Sequence, residues 1–228
     1  MPKLTYLGHA AFLIEGKEHR LVIDPFLTGN PLAAAKAEQV KADFVLLTHG
    51  HGDHVGDGLA IAKANRATII APYELAMYCQ QQGATVHPMH IGGAFSFPFG
   101  RVKLTIAHHG SGMEIDGKMA YMGNPCGYLI TMDGKTIYHA GDTGLFLDMQ
   151  LIGEMNHIDV ALLPIGDNFT MGVDDAVKAV ELLKPSLAVP MHYKTFGVID
   201  QDPHEFARKV EAKGFRARVL GFGESLEV

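Results

Sequence analysis

The sequence predicts an α/β protein, a four-layer αββα sandwich assembled from two similar halves. Three stretches of the first half recur in the second in the same order, with matched positions 116 or 118 residues apart. One such unit has too small an apolar face to be stable alone, so two units are expected to pack sheet against sheet with helices outside. The matched stretches are 12–24 with 128–142, 43–47 with 159–163 and 68–72 with 187–190.

In the first half, short apolar runs bounded by turn residues predict the strands. They cover 4–7, 11–14, 21–24, 43–47 and 67–71. Helices are predicted where the apolar spacing changes to the helical period, and Gly83 marks the end of the second one. They cover 59–64 and 74–82, and an alanine-rich stretch after Pro31 is expected to form a helical turn.

The second half begins with a strand at 102–107, whose alternating apolar and polar side chains lead to His108 and His109. Pro185 and Gly214 are the stop signals of two helices. Those helices are predicted at 174–183 and 203–212, and the further strands at 128–130, 138–142, 159–163, 187–190 and finally 216–220.

The composition is that of one compact domain covering residues 1–228, with 47% hydrophobic and 19% charged residues. The net charge of −6, without a run of basic residues, argues against a nucleic-acid partner. Cys79 and Cys126 do not make a disulfide framework, and the chain shows neither a signal-peptide pattern nor an apolar run of membrane-spanning length. We therefore expect a cytoplasmic protein that acts on a small molecule away from membranes. The composition leaves a homo-oligomer open.

Four candidate metal ligands lie within six residues, directly after the predicted strand 43–47. Gly50 and Gly52 allow a tight backbone turn, so neighbouring side chains can converge. The first two ligands alternate and can point the same way, whereas the other two follow the turn. This division predicts two metal ions, each held by one pair. A solvated loop is the poorer interpretation, because it does not require three imidazoles and a carboxylate between glycines. The four are His49, His51, Asp53 and His54.

The pattern His-x-His-x-Asp-His after a buried strand resembles the signature of the metallo-β-lactamase superfamily. Other stretches are similar to a branch of metal-dependent hydrolases close to the ascorbate-6-phosphate lactonase group. The resemblance covers nearly the whole chain and implies the metallo-β-lactamase fold, but it specifies the substrate weakly. The stretches are Leu7-Gly8-His9, Ile23-Asp24-Pro25-Phe26, 88–93, Gly141-Asp142-Thr143-Gly144, 163–172 and Pro190-Met191-His192-Tyr193.

The resemblance implies the rest of the ligand set. Asp142 would lie between the two ions, where an anion relieves their repulsion. His109 would complete the first site with His49 and His51, and His192 the second with Asp53 and His54. Histidine and carboxylate ligands suit zinc, manganese, iron or nickel, and the resemblance favours zinc or manganese.

His108 and His109 compete for the position in the first site. His108 continues the apolar face of Val102, Leu104 and Ile106, and His109 continues the opposite face. This alternation favours His109 as the ligand only weakly, because alternation can fail at a strand end. The resemblance also places the ligand directly before Gly110. His109 is therefore the predicted ligand, and His108 a packed or outer imidazole.

This ligand set predicts hydrolysis of a small anionic ester, a lactone or a phosphodiester. Two ions sharing a water lower its pKa from 15.7 to about 7, and the resulting bridging hydroxide attacks the carbonyl carbon or phosphorus. Asp53 and Asp142 are the predicted catalytic carboxylates. Whether Asp53 takes a proton or only orients one stays open, because a metal-bound carboxylate is a poor base.

Four further residues are candidates for the surroundings of the ions or for substrate contact. Asp24 either orients a ligand imidazole through its second nitrogen or caps the turn before Pro25. His9 either contacts the site or packs under the sheet. Asp167 and Thr170 lie in the loop that corresponds by the repeat to the histidine motif, so they are candidates for the cleft rather than ligands.

Other functions of this superfamily fit the chain less well. A nuclease would need a basic surface or an inserted domain, a glyoxalase II-like thioesterase a longer C-terminal helical region, and an oxygen reductase a flavin domain. The alternative from another class is a metal-binding protein without catalysis. Catalytic sites keep an open position on the metal, whereas structural sites are closed.

Overall fold

The computed structural model describes residues 1–228 and contains two mixed β-sheets, a separate two-stranded hairpin and six α-helices. The strands are β1 Lys3–Gly8, β2 Ala11–Glu15, β3 Arg20–Ile23, β4 Phe44–Leu46, β5 Thr68–Pro72, β6 Thr85–Met89, β7 Ala94–Phe97, β8 Gly100–Ile106, β9 Gly112–Ile115, β10 Lys118–Tyr121, β11 Cys126–Met132, β12 Lys135–His139, β13 Val160–Pro164, β14 Leu187–Met191 and β15 Ser225–Glu227. The helices are α1 Gly52–Val55, α2 Gly58–Asn65, α3 Tyr73–Gln81, α4 Met149–Met155, α5 Val173–Leu183 and α6 Pro203–Ala212.

The two sheets repeat one topology. The first has the order β15-β1-β2-β3-β4-β5-β6 and the second the order β14-β13-β12-β11-β8-β7. In both, two antiparallel pairings are followed by two parallel ones: β1-β2-β3-β4-β5 in the first and β8-β11-β12-β13-β14 in the second. The internal repeat predicted from the sequence is therefore present, and it extends to β1 and β8.

Side-chain alternation sorts the apolar residues into layers. In β3, Leu21 and Ile23 belong to the larger apolar cluster, which joins the two sheets, whereas Val22 belongs to a smaller cluster on the outer face of the first sheet. That smaller cluster is completed by α2 and α3, and the larger one includes buried residues of α5 and α6. Helices thus cover both outer faces, which confirms the αββα sandwich.

Helix α5 shows why these segments form the outer layers. Its buried residues recur at helical spacing and make one apolar stripe. The helix ends at Lys184, which is left-handed with φ of 49°, directly before Pro185. The buried residues are Val173, Ala176, Val177, Ala179, Val180 and Leu183.

The prediction of a last strand at 216–220 was wrong. Only an isolated bridge between Ala188 and Ala217 forms there, and the final strand is β15, which pairs with β1. The alanine-rich stretch gives only a short 3-10 turn at Ala37–Gln39. Strands β6, β7, β9 and β10 and helices α1 and α4 were not predicted from the sequence.

Neither cysteine is in a disulfide: Cys79 and Cys126 are both buried free thiols. The helices are all too short, or not apolar enough, to cross a lipid bilayer.

One edge of the sandwich collects the ends of many strands. The parallel pairing orients β3, β4, β12 and β14 alike within each sheet, so their carboxyl ends meet at a shared edge. Strands β1 and β8 run in the same direction as these, because each is two antiparallel steps away from a parallel strand. The loops at this edge hold the candidate functional residues.

Candidate metal centre

Three imidazoles form the first group of candidate ligands. The loop after β4 supplies His49 and His51, and the loop after β8 supplies His109. The Nε2 atom of His49 lies 3.0 Å from Nδ1 of His51, and Nε2 of His109 lies 3.3 Å from that same Nδ1. Three nitrogens this close, within 4.8 Å of one another, can converge on one ion.

A second group gathers around the short helix α1. Asp53 and His54 lie on this helix, and His192 follows β14 from the other sheet. Together with His9 they form a set with ligand atoms within 4.8 Å of one another. Helix α1 begins after His51, because the chain turns at Gly52 and the amide of Val55 donates to the carbonyl of His51 at 2.9 Å.

Asp142 connects the two groups. Its Oδ2 atom lies 3.0 Å from Nε2 of His192 and 3.3 Å from Nε2 of His54, both in the second group. The same oxygen lies 3.5 Å from Nε2 of His109 in the first group. A single carboxylate oxygen thus contacts ligand atoms of both groups.

The cluster is buried on one side and open on the other. His49, His54, Asp142 and His192 are almost completely buried. The Asp53 side chain is 30% exposed, and His51 and His109 are also partly exposed. Solvent can therefore reach the cluster from the side of these three residues, as a catalytic metal site requires.

Several buried polar atoms of the cluster have no hydrogen-bond partner. They are Nε2 of His54, both ring nitrogens of His192 and Oδ1 of Asp142. Leaving such an atom unpaired costs about 1–3 kcal/mol. Nδ1 of His192 lies beside Gly166, but the other three unpaired atoms belong to side chains that meet at Asp142. A bound cation would stabilise their lone pairs, so the residues fit a metal.

The electrostatics of the cluster favour ionised carboxylates beside mostly neutral imidazoles. Burial lowers the pKa of His49 well below its ordinary value. Burial alone would raise the pKa of Asp142, but nearby His192 and His54 hold it well below its usual range. His54 is the exception: burial opposes its charge, but Asp142 and Asp24 raise its pKa well above the ordinary value. A metal ion would replace that proton.

Asp24 contacts a candidate ligand from behind. Its Oδ2 atom accepts a hydrogen bond from Nδ1 of His54 at 2.8 Å and another from the hydroxyl of Thr48 at 2.6 Å. Its Oδ1 atom accepts from the amide of Thr48 at 2.8 Å. The side chain therefore orients His54 through the second ring nitrogen, one of the two roles that the sequence left open, rather than capping the turn.

The structure separates His108 from His109. The His109 ring lies in the cluster, whereas His108 is exposed and its ring stacks on Phe146 at a centroid distance of 5.1 Å. Alternation does fail at this strand end, since Ile106 is 38% exposed although it continues the face of buried Val102 and Leu104.

Asp167 and Thr170 make no hydrogen bond to the cluster. Their loop lies beside the Asp142 loop, because the amide of Met171 donates to the carbonyl of Thr143 at 2.9 Å. The Asp167 side chain is exposed, and the Thr170 hydroxyl donates to the carbonyl of Met171. Their place in the cleft therefore stays a prediction.

Strained backbone concentrates at this edge. Non-glycine residues with positive φ include His9 at 57°, Asp24 at 42°, Asp167 at 61° and His192 at 56°. Left-handed conformations of such residues persist where the surroundings fix them, and they cluster at functional sites.

An αββα sandwich with histidines and aspartates gathered at its shared edge defines a metallo-β-lactamase-type protein. The chain belongs to the metallo-β-lactamase superfamily: the beta-lactamase superfamily domain matches residues 3–192. A UPF0173 metal-dependent hydrolase of Pelotomaculum thermopropionicum is 59% identical, covering 99% of this chain and 100% of the relative. A UPF0173 metal-dependent hydrolase of Anoxybacillus flavithermus is 58% identical with coverages of 99% and 100%.

A solved structure agrees with these relatives. Igni18, described as a metallo hydrolase of the archaeon Ignicoccus hospitalis, superimposes with a TM-score of 0.90 at 41% identity, covering 100% of this chain and 99% of that one. The chain is thus a metal-dependent hydrolase, and the alternative of a metal-binding protein without catalysis is not retained. Its closeness to the lactonase group stays a prediction.

Proposed function

We propose that this hydrolase uses two divalent metal ions, zinc or manganese, to cleave a small anionic ester such as a lactone or a phosphodiester. His49, His51 and His109 would hold the first ion, and Asp53, His54 and His192 the second. Asp142 would lie between them. Zinc and manganese both accept this mixture of imidazole and carboxylate ligands, as do nickel and iron.

The observation that carries the proposal is the position of Asp142 Oδ2, within 3.5 Å of ligand nitrogens from both groups. One ion would need only one of the groups and would leave the other as an unexplained set of convergent imidazoles. A carboxylate between two cations lowers their mutual repulsion.

When bound, the two ions would supply hydroxide at neutral pH from a shared water and polarise the substrate oxygen. The chain's own residues fix where this happens. Buried His49, His54 and His192 lie on the inner side of the cluster, and partly exposed Asp53 and His51 lie on its solvent side. Asp24, Asp53 and Asp142 would offset three of the four positive charges of two divalent ions and the hydroxide would offset the fourth, so the choice of an anionic substrate rests on the resemblance to the lactonase group.

The first test is the substitution Asp142→Asn. An amide is a weaker ligand than a carboxylate and cannot offset the repulsion between two ions, so metal content should fall from two ions per chain to one and turnover should be lost. Metal content is measured by elemental analysis, and turnover with a chromogenic phosphodiester and a lactone. Asp175→Asn on the exposed start of α5 is the matched control and should keep both.

Full turnover with one ion per chain in Asp142→Asn would contradict the two-metal proposal. Anomalous scattering from crystals grown without added metal would identify the native ions. Hydrolysis of neither substrate class by the two-metal protein would reject the proposed substrate.

A further inference from the structure

His9 occupies a rigid place beside the second group of ligands. It lies in the turn between β1 and β2, with φ of 57°. Its carbonyl accepts hydrogen bonds from the hydroxyl of Tyr6 at 2.9 Å and from the amide of His192 at 2.8 Å. The residue is completely buried. A strained backbone held by two hydrogen bonds leaves the ring little freedom.

Both ring nitrogens of His9 have a polar partner. The Nε2 atom lies 3.1 Å from Oδ2 of Asp53, and the Nδ1 atom lies 2.9 Å from the hydroxyl oxygen of Thr195. Thr195 is itself buried, 6% exposed, in the loop after β14. The contacts form a chain from Thr195 through His9 to Asp53.

The direction of the hydrogen bonds in this chain follows from the chemistry of its ends. An ionised carboxylate only accepts, so the proton must be on Nε2 of His9. In the neutral ring Nδ1 then carries a lone pair. The hydroxyl of Thr195 lies 2.9 Å from this Nδ1 and 3.4 Å from its other acceptor, the carbonyl oxygen of Tyr193, so its shorter hydrogen bond is the one to Nδ1. That hydroxyl selects the tautomer of His9 that can donate to Asp53.

Asp53 needs such support more than the other candidate ligands. It lies on a helix of only four residues, and its side chain is the most exposed of the carboxylates in the cluster. We propose that Thr195 and His9 are positioning residues that fix the Asp53 carboxylate toward the second metal ion. This inference rests on the proposed two-metal site and adds the residues that decide how tightly its second ion is held.

The competing role for His9 is direct coordination, since its ring nitrogen belongs to the same close group as Asp53, His54 and His192. The geometry favours positioning, because Nε2 of His9 makes a hydrogen bond with the Asp53 carboxylate, whereas Nε2 of His54 and Nε2 of His192 make none and stay available to an ion. A nitrogen that donates its proton in this way has no lone pair left for a cation.

The test compares Thr195→Val, which removes the hydroxyl at nearly constant volume, with Thr195→Ser, which retains it. Zinc is titrated into the stripped protein in competition with a chromophoric chelator, which gives the affinity for each ion. Thr195→Val should weaken the second ion by about 10- to 100-fold and leave the first unchanged, as loss of a group that orients a ligand does. Thr195→Ser should restore the wild-type affinity.

Thr131→Val is the matched control. It also removes a side-chain hydroxyl bond, the 3.2 Å contact with Thr136, but from the strand pair β11–β12. It should bind both ions as the wild type does. Wild-type affinities for both ions in Thr195→Val would overturn the proposal, as would a loss in Thr195→Ser equal to that in Thr195→Val.

Nitrogen-15 NMR of the zinc-loaded protein gives an independent readout. In the wild type, His9 should show a protonated Nε2 and an unprotonated Nδ1, and Thr195→Val should lose this preference. A metal-coordinated Nε2 would show that His9 is a ligand and would overturn the positioning role. If the wild type binds a single ion, the two-metal proposal fails, and the tautomer of His9 alone then decides for or against the chain from Thr195 to Asp53.

Discussion

Asp24 shows how much of the centre depends on residues behind the ligands. Both of its oxygens are used: three donors, the amide and hydroxyl of Thr48 and Nδ1 of His54, converge on one buried carboxylate. Because His54 gives its Nδ1 proton to Asp24, its Nε2 is free to bind a cation. Asp24 thus fixes the tautomer of His54 in the same way that Thr195 is proposed to fix that of His9.

We predict that Asp24→Asn weakens metal binding by about 10- to 100-fold. The amide retains one acceptor oxygen but presents an NH₂ group to the other donors, so the proton of His54 is driven toward Nε2, where it blocks the metal. Competition titration with a chelator measures the change.

Asp43→Asn provides the comparison for that experiment. Asp43 also accepts a backbone hydrogen bond, from the amide of Arg20 at 2.8 Å, but it precedes β4 at the edge opposite the metal centre. It should leave metal affinity unchanged. Unchanged affinity in Asp24→Asn itself would show that Asp24 does not govern the tautomer of His54.

At the scale of elements, strand β11 fastens the histidine loop from the opposite sheet. The amide of Cys126 donates to the carbonyl of Thr48 at 3.1 Å. The buried hydroxyl of Tyr128 lies 2.7 Å from the carbonyl oxygen of Leu47 and 3.0 Å from that of Ile70. The carboxyl ends of β4 and β5 are therefore tied to the second sheet just before the metal ligands begin.

Tyr128→Phe should lower the free energy of unfolding by about 1–3 kcal/mol, because the hydroxyl's shorter bond, to the buried carbonyl oxygen of Leu47, is lost while the ring is kept. The carbonyl oxygen of Ile70 still accepts from the amide of Leu47. Urea denaturation measures this. Tyr121→Phe removes a hydroxyl that donates to Asn124 at 2.6 Å on an exposed side chain, and it should change stability by less than about 0.5 kcal/mol. Equal effects of the two substitutions would refute the role of the bond between the sheets.

At the scale of the whole molecule, the two halves are joined by polar contacts as well as by their shared core. His139, at the end of β12, is completely buried. Its Nε2 donates at 2.9 Å to the carbonyl of Ala10, in the turn between β1 and β2 of the first sheet, and its Nδ1 accepts from the amide of Gly141 at 3.1 Å. Both contacts require a neutral ring, since a protonated Nδ1 could not accept.

His139 should make stability depend on pH. Burial lowers its pKa below the ordinary 6.5. Its contribution is therefore present above pH 6.5 and is lost as the pH falls from 6.5 through the lowered pKa, because the unfolded chain binds the proton first. In that window the loss approaches about 1.4 kcal/mol per pH unit for one proton.

The comparison of wild type with His139→Gln isolates this contribution. Unfolding free energies are measured between pH 8 and pH 5 at one free metal concentration, and the variant should show the shallower slope. Other buried imidazoles, such as His9 and His49, titrate in both proteins and cancel in the difference. His157→Gln, at an exposed side chain, should keep the wild-type slope. Identical slopes in wild type and His139→Gln would refute the prediction.

The sequence by itself determined the fold class and most of the candidate centre. The repeat of strands, the helix stops and the His-x-His-x-Asp-His turn all depend on residues close together in the chain, so local patterns are enough to find them. The resemblance to the superfamily, which the comparisons confirm, followed from the same motifs.

The tertiary structure decided the contacts between residues that are far apart in the chain. His9 meets Thr195 across 186 positions and Asp53 across 44. The position of the His109 ring in the cluster, the contact of Asp24 with His54 and the pairing of β15 with β1 likewise depend on which distant segments pack together. A contact between distant residues is fixed by how the sheets dock, and that docking is a property of the whole core rather than of any one stretch of sequence.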